Sequence, residues 1–546
     1  MTPISTTLVT AYYDYQRTQA MGLTKQWVSA LGAVLVALSA VSVQAETPKR
    51  GGTLVWSIGT TPRHLNPAVQ SGIATGAPGA QLFATLVRFD DKWNARPYLA
   101  KSWQTSADGL AVTFNLVEGA TFHDGTPITS KDVAFSIKTI KANHPFKTMF
   151  RAVSSVETPN PNTVVFKLSQ PHPALMLALS SQLGSIIPEH IYGDGQDPKK
   201  HPRNSKDVVG SGPFKLVEFV RDQHIIMERY ENFFIEGRPY LDKLVIRIIK
   251  DPSARSLGRE NGEIHLSAFE STPQDILHSK NVPHLTATDQ GYAAIGPITW
   301  LAFNTKKKPT SDKRVRQAIA YAVDRDFLVN AVMMGTSRPA YTGIHPDSIF
   351  HEPNVARYDL DIDKANAMLD EAGYARGADG MRFGLTVDFG WPSAKPMAEY
   401  MKPQLKKIGI DVTVRTSAGF PAWAKTVSTW DFDMTVDVVF NWGDPVIGVH
   451  RTYLCDNAKK GVIWSNTQQY CNPKVDAILA KAGQENDQQK RIALYSSAQK
   501  IIADDVPIYF TDTVPYHTIF NHTKVGNPPA TIWGTCSPLD EVYLKN

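Results

Sequence analysis

Trp391, Trp423, Trp442 and Tyr453 fall where the surrounding pattern reads as loop, and two nearby charges are Asp444 and Arg451. Tryptophan faces beside one or two fixed charges suit a polar organic ligand with an apolar body, because the rings take the body and the charge fixes its orientation. The run Trp442-Gly443-Asp444-Pro445 places an aromatic face two residues from a carboxylate. A ligand ammonium there would donate a charge-assisted hydrogen bond to Asp444 and lie on a cation-π face worth about 0.5 to 2 kcal/mol. The same four residues also allow a purely structural arrangement, with Asp444 capping the turn before Pro445 and Trp442 packing beneath it.

Other groups that could do chemistry have weaker settings. No phosphate-binding GxxxxGK[ST], GxGxxG, HExxH or GxSxG run occurs, which leaves the known kinase, dinucleotide, zinc-protease and serine-hydrolase frameworks without their residues. His64, His123, His345, His351 and His450 lack the close pairing of metal ligands. The series Asp359, Asp361 and Asp363 lacks the central glycine and terminal glutamate of a calcium loop, and Asp504-Asp505 closes an amphipathic helix. No cofactor or metal is therefore expected. A net charge of +5 over 546 residues is too small a surplus for electrostatic nucleic-acid binding.

Two kinds of scaffold must position these residues. Strand-like segments at 52–58, 112–117, 163–168, 214–220, 225–230 and 244–249 make the first half β-rich. One helix interrupts them, opened by Thr129 with Asp132 as a capping box and turning Val133, Ile137 and Ile140 inward. From about residue 300 the period changes. Residues 312–333 carry Val315, Ala318, Ile319, Ala322 and Val323 at helical spacing. A helix at 363–372 stopped by Gly373, a strand at 383–389, a helix at 394–407 stopped by Gly409 and a strand carrying Ile410, Val412 and Val414 come next. Strand, helix, strand predicts a parallel βαβ unit. A strand at 432–440 runs into the Trp442 loop, and helices at 473–482 and 488–504 complete the unit. Ligands of open α/β sheets sit at the carboxyl ends of strands, where Trp391 and Trp442 fall.

The compartment is legible near the start. Residues 27–43 are apolar and small, follow Lys25 and end in Val43-Gln44-Ala45 before Glu46, the pattern of a secretory signal peptide cleaved after Ala45. Its apolar core is shorter than the roughly 20 residues a membrane span needs. Glu46 in place of a cysteine leaves no lipid-attachment site, and Met21 offers an alternative start to Met1. A periplasmic protein is expected. Of the three cysteines, Cys455 and Cys471 enclose a polar stretch that a disulfide would fix, worth about 3 kcal/mol for a loop of about 15 residues. Three unpaired buried thiols are the other arrangement, and Cys536 is the odd one.

Several short runs recur in a recognisable order. They are Gly51-Gly52-Thr53-Leu54 with Leu65-Asn66-Pro67; Leu99-Ala100-x-Ser102-Trp103 with Ser106-x-Asp108-Gly109; and Phe122-His123-Asp124-Gly125-x-Pro127 with Asp132-Val133. Then come Gly210-Ser211-Gly212-Pro213-Phe214, Pro239-Tyr240-Leu241-Asp242, and Leu301-Ala302-Phe303-Asn304 with Val315-Arg316-Gln317-Ala318. Through them the chain resembles the extracellular solute-binding proteins of family 5, the peptide, opine and nickel class of ABC importer receptors.

The resemblance implies an α/β, two-lobed periplasmic-binding-protein-like fold of class II type. It implies a lobe I core of residues 46–85, 207–295 and 510–546, an inserted subdomain at 86–206 and lobe II at 296–509. A peptide-like or opine-like solute is enclosed between the lobes of a monomer and delivered to an ABC permease with its ATPase subunits. Cys455 and Cys471 sit where dipeptide-binding members carry a disulfide. Many peptide-binding members follow a lobe II strand with Trp-x-x-Asp. Here Trp442-Gly443-Asp444 is one residue shorter, and a gapless match through Pro445 puts Asn441 at the acidic position. No arginine stands near 388–391, where dipeptide receptors hold the ligand carboxylate. The expected site is a lobe II wall of Trp391, Asn441, Trp442, Asp444 and Arg451 facing Ser71 and Gly72 of lobe I. The alternative function is a secreted hydrolase acting on peptides or glycosides with cleft carboxylates.

Overall fold

The computed structural model describes residues 48–390 and 394–545; the expected signal peptide and Trp391 lie outside them. The first sheet has seven strands, in the order Leu285–Thr288, His517–Asn521, Leu266–Glu270, Thr53–Ile58, Lys243–Ile248, His224–Arg229, Phe214–Val220. Thr53–Ile58 runs parallel to both neighbours, pairing Leu54 with Leu244 and Trp56 with Ile246 on one side and with Leu266 on the other. A strand covered on both faces reads as a continuous apolar run, and Leu54, Trp56 and Ser57 are all fully buried.

Between its first and later strands this lobe carries a four-stranded antiparallel sheet, Ala100–Thr105, Ala111–Leu116, Thr163–Leu168, Val153–Asn160 in spatial order. The two inner strands alternate strictly, burying Val112, Phe114 and Leu116 and Val164, Phe166 and Leu168. Against that face packs the helix Ser130–Asn143, which turns Val133, Ile137 and Ile140 inward. Its capping box is formed: the Thr129 N–H donates to Asp132 Oδ2 at 2.9 Å.

The second lobe is built on a five-stranded sheet, ordered Ile410–Thr416, Phe383–Phe389, Met434–Phe440, Pro297–Phe303, Ile508–Thr513. The predicted βαβ unit is present: Phe383–Phe389 and Ile410–Thr416 are parallel, in register at Leu385 and Val412, with the helix Lys395–Lys406 between them. One face of the sheet buries Leu301, Phe303 and Val436, and the other buries Ile298, Trp300 and Val439.

The predicted helix at 312–333 ends early, at Ala322. Val323 is extended, and the side chain of Asp324 accepts from the Phe327 N–H and caps a new, short turn. The chain crosses between the lobes through residues 289–296 and again through 514–516. The return lies beyond residue 510, because Ile508–Thr513 is bonded to Pro297–Phe303 as far as the pair Ile298 and Thr513. Among the described residues no helix is long and apolar enough to cross a membrane.

Candidate ligand-binding cleft

A cavity of about 630 Å³ opens where the second sheet meets the second crossing and residues 271–274 of the first lobe, a size typical of small-molecule sites. Its floor is set by strand register. Thr299 pairs with Val438 on one side and with Asp512 on the other, so the three side chains stand in one row on one face of the sheet. Val436 and Phe440, two residues either way from Val438, share that face, and Met333, Met397 and Trp464 add further walls from the second lobe. The first lobe contributes residues 271–274, and the second crossing contributes Val514 to Tyr516.

Among the described residues the lining is mostly apolar and holds one carboxylate. Asp512 is 4% exposed. Its Oδ1 accepts from the Thr511 hydroxyl at 2.7 Å, whereas its Oδ2 is buried without a hydrogen-bond partner. Burial pushes this carboxyl up to about 6 against the weaker pull of neighbouring hydroxyls, since a low-dielectric setting disfavours the charged form. Arg325 stands behind it. That guanidinium donates to the Phe510 and Arg357 carbonyls and lies between the rings of Tyr341 and Tyr509, 4.4 and 4.6 Å from their centroids. Among the described lining residues there is no lysine, arginine or histidine.

On the opposite face of the Met434–Phe440 strand, Asp437 is also buried, and desolvation raises it to about 7 against hydrogen bonds from the Val438 N–H and Trp464 and the weaker pull of Arg451. Arg451 is lowered to about 10 by its own burial, and its guanidinium sits 4.7 Å from the ring centroid of Phe146 in the inserted sheet's lobe. Trp442 packs on the same Phe146 ring at 5.3 Å and on Phe440 at 5.7 Å. One aromatic of the first lobe thus meets a cation and an indole of the second.

A family model of bacterial extracellular solute-binding proteins, family 5, matches residues 94–460. The chain belongs to this family. It is 27% identical over 533 residues to the dipeptide-binding protein of Escherichia coli, covering 92% of this chain and 96% of that one. Heme-binding protein A of Haemophilus influenzae is 28% identical over 491 residues, covering 83% of this chain and 86% of its own. The fold superposes on the oligopeptide-binding protein AppA of Bacillus subtilis, solved with a nonapeptide, with a TM-score of 0.78 at 26% identity, over 91% of this chain and all of that one. The two-lobed fold and the solute-binding receptor class are those of the family.

Within this family 5 receptor the residues singled out from sequence scatter. Asp444 is 1% exposed and does not line the cavity: Arg491 donates to both of its oxygens, at 2.6 and 2.7 Å, and the Val446 N–H donates to Oδ1 at 2.9 Å. Burial alone would raise its pKa, but Arg491 prevails and holds the carboxyl below its ordinary range. The helix-capping arrangement is the one adopted. Asn441 is committed as well, accepting from the His345 N–H at 2.6 Å and donating to the Gly343 carbonyl at 2.8 Å. Ser71 and Gly72 stand ahead of the helix Ile73–Leu82 and do not line the cavity; the first-lobe partner of Trp442 is Phe146.

Trp423 and Tyr453 are core residues, the former donating from Nε1 to the Thr435 hydroxyl at 3.0 Å. Cys455 and Cys471 form the disulfide, and Cys536 is a buried free thiol. Sequence reasoning misses Asp512 and Thr299. The available signal is a carboxylate in Ile508–Thr513, a strand buried along its whole length.

Proposed function

We propose that this receptor captures a peptide-like or other polar organic solute in the cavity between its lobes. After export and removal of residues 1–45 it presents the closed, monomeric complex to an ABC permease driven by ATPase subunits. The observation that carries this reading is a cavity walled by both lobes and by the second crossing, with a buried, half-satisfied carboxylate on its floor. Its peptide-like range is supported by the dipeptide and oligopeptide names of two relatives.

Closure works through contacts that only the closed state makes. Phe146 of one lobe against Trp442 and Arg451 of the other would provide one such contact if it parts on opening, and a solute touching Thr299 from one lobe and residues 271–274 from the other would provide the rest. Mass spectrometry of small molecules released from natively purified protein tests the assignment, followed by calorimetry and solution scattering with the molecule found. Tight binding with a smaller scattering radius is expected. Turnover of a peptide or glycoside library that is abolished by Asp512→Asn would replace the receptor reading with the hydrolase one.

A further inference from the structure

Asp512 keeps one carboxylate oxygen without a formed hydrogen bond, although the Ser337 and Thr299 hydroxyls stand near it. Its Oδ1 is satisfied by Thr511, its Oδ2 is buried and unpartnered, and the residue borders the cavity. A buried polar atom left unpaired costs roughly 1 to 3 kcal/mol, more when charged, so such groups persist where a ligand fills them. The nearest cation, Arg325, is committed to the Phe510 and Arg357 carbonyls and enclosed by two tyrosine rings. The remainder of the lining consists of aliphatic, thioether and aromatic side chains with a few hydroxyls and one amide.

We propose that the solute of this cavity is a monocation, an apolar body bearing one ammonium or guanidinium head that donates to Asp512 and no carboxylate of its own. This rests on the reading that the cavity holds the solute. The register fixes the geometry: Thr299 stands beside Asp512 and Val438 beyond it, so the polar end of the solute lies at the 512 side of the floor and its body extends over Val438 and Phe440. A zwitterion would carry its carboxylate into a wall without a cation, and an ion desolvated without a partner is strongly disfavoured. Met333 and Met397 can repack around bodies of different shape, so the head group is selected more sharply than the body.

Three probes with one body separate charge from shape: Val-Phe amide, a monocation; free Val-Phe, a zwitterion; and N-acetyl Val-Phe amide, which is neutral. The full chain, freed of bound solute by reversible denaturation, is titrated with each by calorimetry. The amide should bind at least about tenfold more tightly than the free dipeptide and about 30-fold more tightly than the acetylated amide. Asp512→Asn, which keeps the size of the side chain, should erase the preference for the amide over its acetylated form without lowering the melting temperature. Tightest binding by the free dipeptide, no binding of the amide, or an unchanged preference in Asp512→Asn would each overturn the charge assignment. Val438→Trp fills the floor of the cavity and should abolish binding of all three. Amide binding that survives it would instead overturn the location of the site.

Discussion

Replacing Asp444 by asparagine separates a ligand contact from an internal ion pair. The carboxylate and Arg491 are withdrawn from water together, their side chains 1% and 5% exposed, and joined by two hydrogen bonds of 2.6 and 2.7 Å. Arg491 is held further by the Ala482 carbonyl and by the rings of Phe350 and Tyr495, so it cannot swing out to water when its partner is lost. Removing one member of such a pair leaves an uncompensated buried charge, a loss of about 3 to 5 kcal/mol. Asparagine still offers an oxygen to the Val446 N–H, so the helix cap survives; alanine would add about 1 kcal/mol to the loss.

The direction of the shift sets the pH window. A carboxyl depressed in the folded state contributes stability that is complete above its unfolded value, near 4, and is lost as pH falls through the lower folded value. The difference between wild type and Asp444→Asn should therefore be constant from pH 5 to 8. Denaturant unfolding at pH 7 measures the loss, and Asp444→Asn combined with Arg491→Met should recover most of it, since an apolar replacement of a buried pair is often neutral. Solute affinity should change by less than about twofold. An affinity loss of 30-fold or more with unchanged stability would refute the ion-pair account and return Asp444 to the binding site.

Phe146→Ala should weaken solute binding by about 5- to 30-fold and enlarge the scattering radius of the loaded protein, because it deletes a ring pair and a cation-π contact worth together about 1 to 2 kcal/mol; an unchanged radius would show that the contact does not serve closure. Replacing Cys455 and Cys471 by serine should lower unfolding free energy by about 3 kcal/mol, the chain-entropy value for a closed loop of this length, and leave calorimetric affinity intact. Acid should destabilise the fold through buried histidines. Desolvation holds His64, His345 and His450 near 4 and His144 near 3, so the unfolded chain binds more protons below pH 6.5 and stability falls towards pH 4, by up to roughly 3 kcal/mol per histidine. The raised Asp437 and Asp512 act oppositely, losing stability as pH rises towards 6 to 7, and unfolding curves of His450→Gln should show a shallower acid slope than wild type.

The parts of the fold legible in the sequence are those that local patterns encode. The apolar run of Thr53–Ile58, the alternation of Ala111–Leu116 and the capping box at Thr129 each express one element's own surroundings, and each formed. Ala100–Thr105 escapes because most of its side chains are exposed and no alternation marks it. Apolar spacing that continues through Val323 predicts a longer helix than the one ending at Ala322, while the break depends on Asp324 capping the next turn. The site is less legible for a related reason. Local sequence leaves Asp444 free to cap or to bind, and Arg491, 47 residues later, decides between them. Trp442 is equally undetermined until Phe146, from the other lobe, meets its face.

The runs that mark the family hold the scaffold together, and this explains why the receptor class is readable while its solute is not. Asp242 accepts from the Gly52 N–H at 2.8 Å, tying two of those runs into one corner of the first sheet. His123 accepts from the Gly210 N–H at 3.1 Å and pairs through Nε2 with the Gly212 carbonyl at 3.0 Å, binding two more. In the second lobe Asn304 donates to the Trp430 and Phe432 carbonyls, and Arg316 to those of Asp505 and Val506. None of these residues lines the cavity. Its floor is drawn from positions such as Thr299, Val438 and Asp512, brought into one row by strand register across separations of more than seventy residues. On the proposed assignment, substitution there should change what is bound without disturbing the bonds that shape the lobes. A solute preference altered by Asp512→Asn at unchanged stability would be the direct expression of that separation.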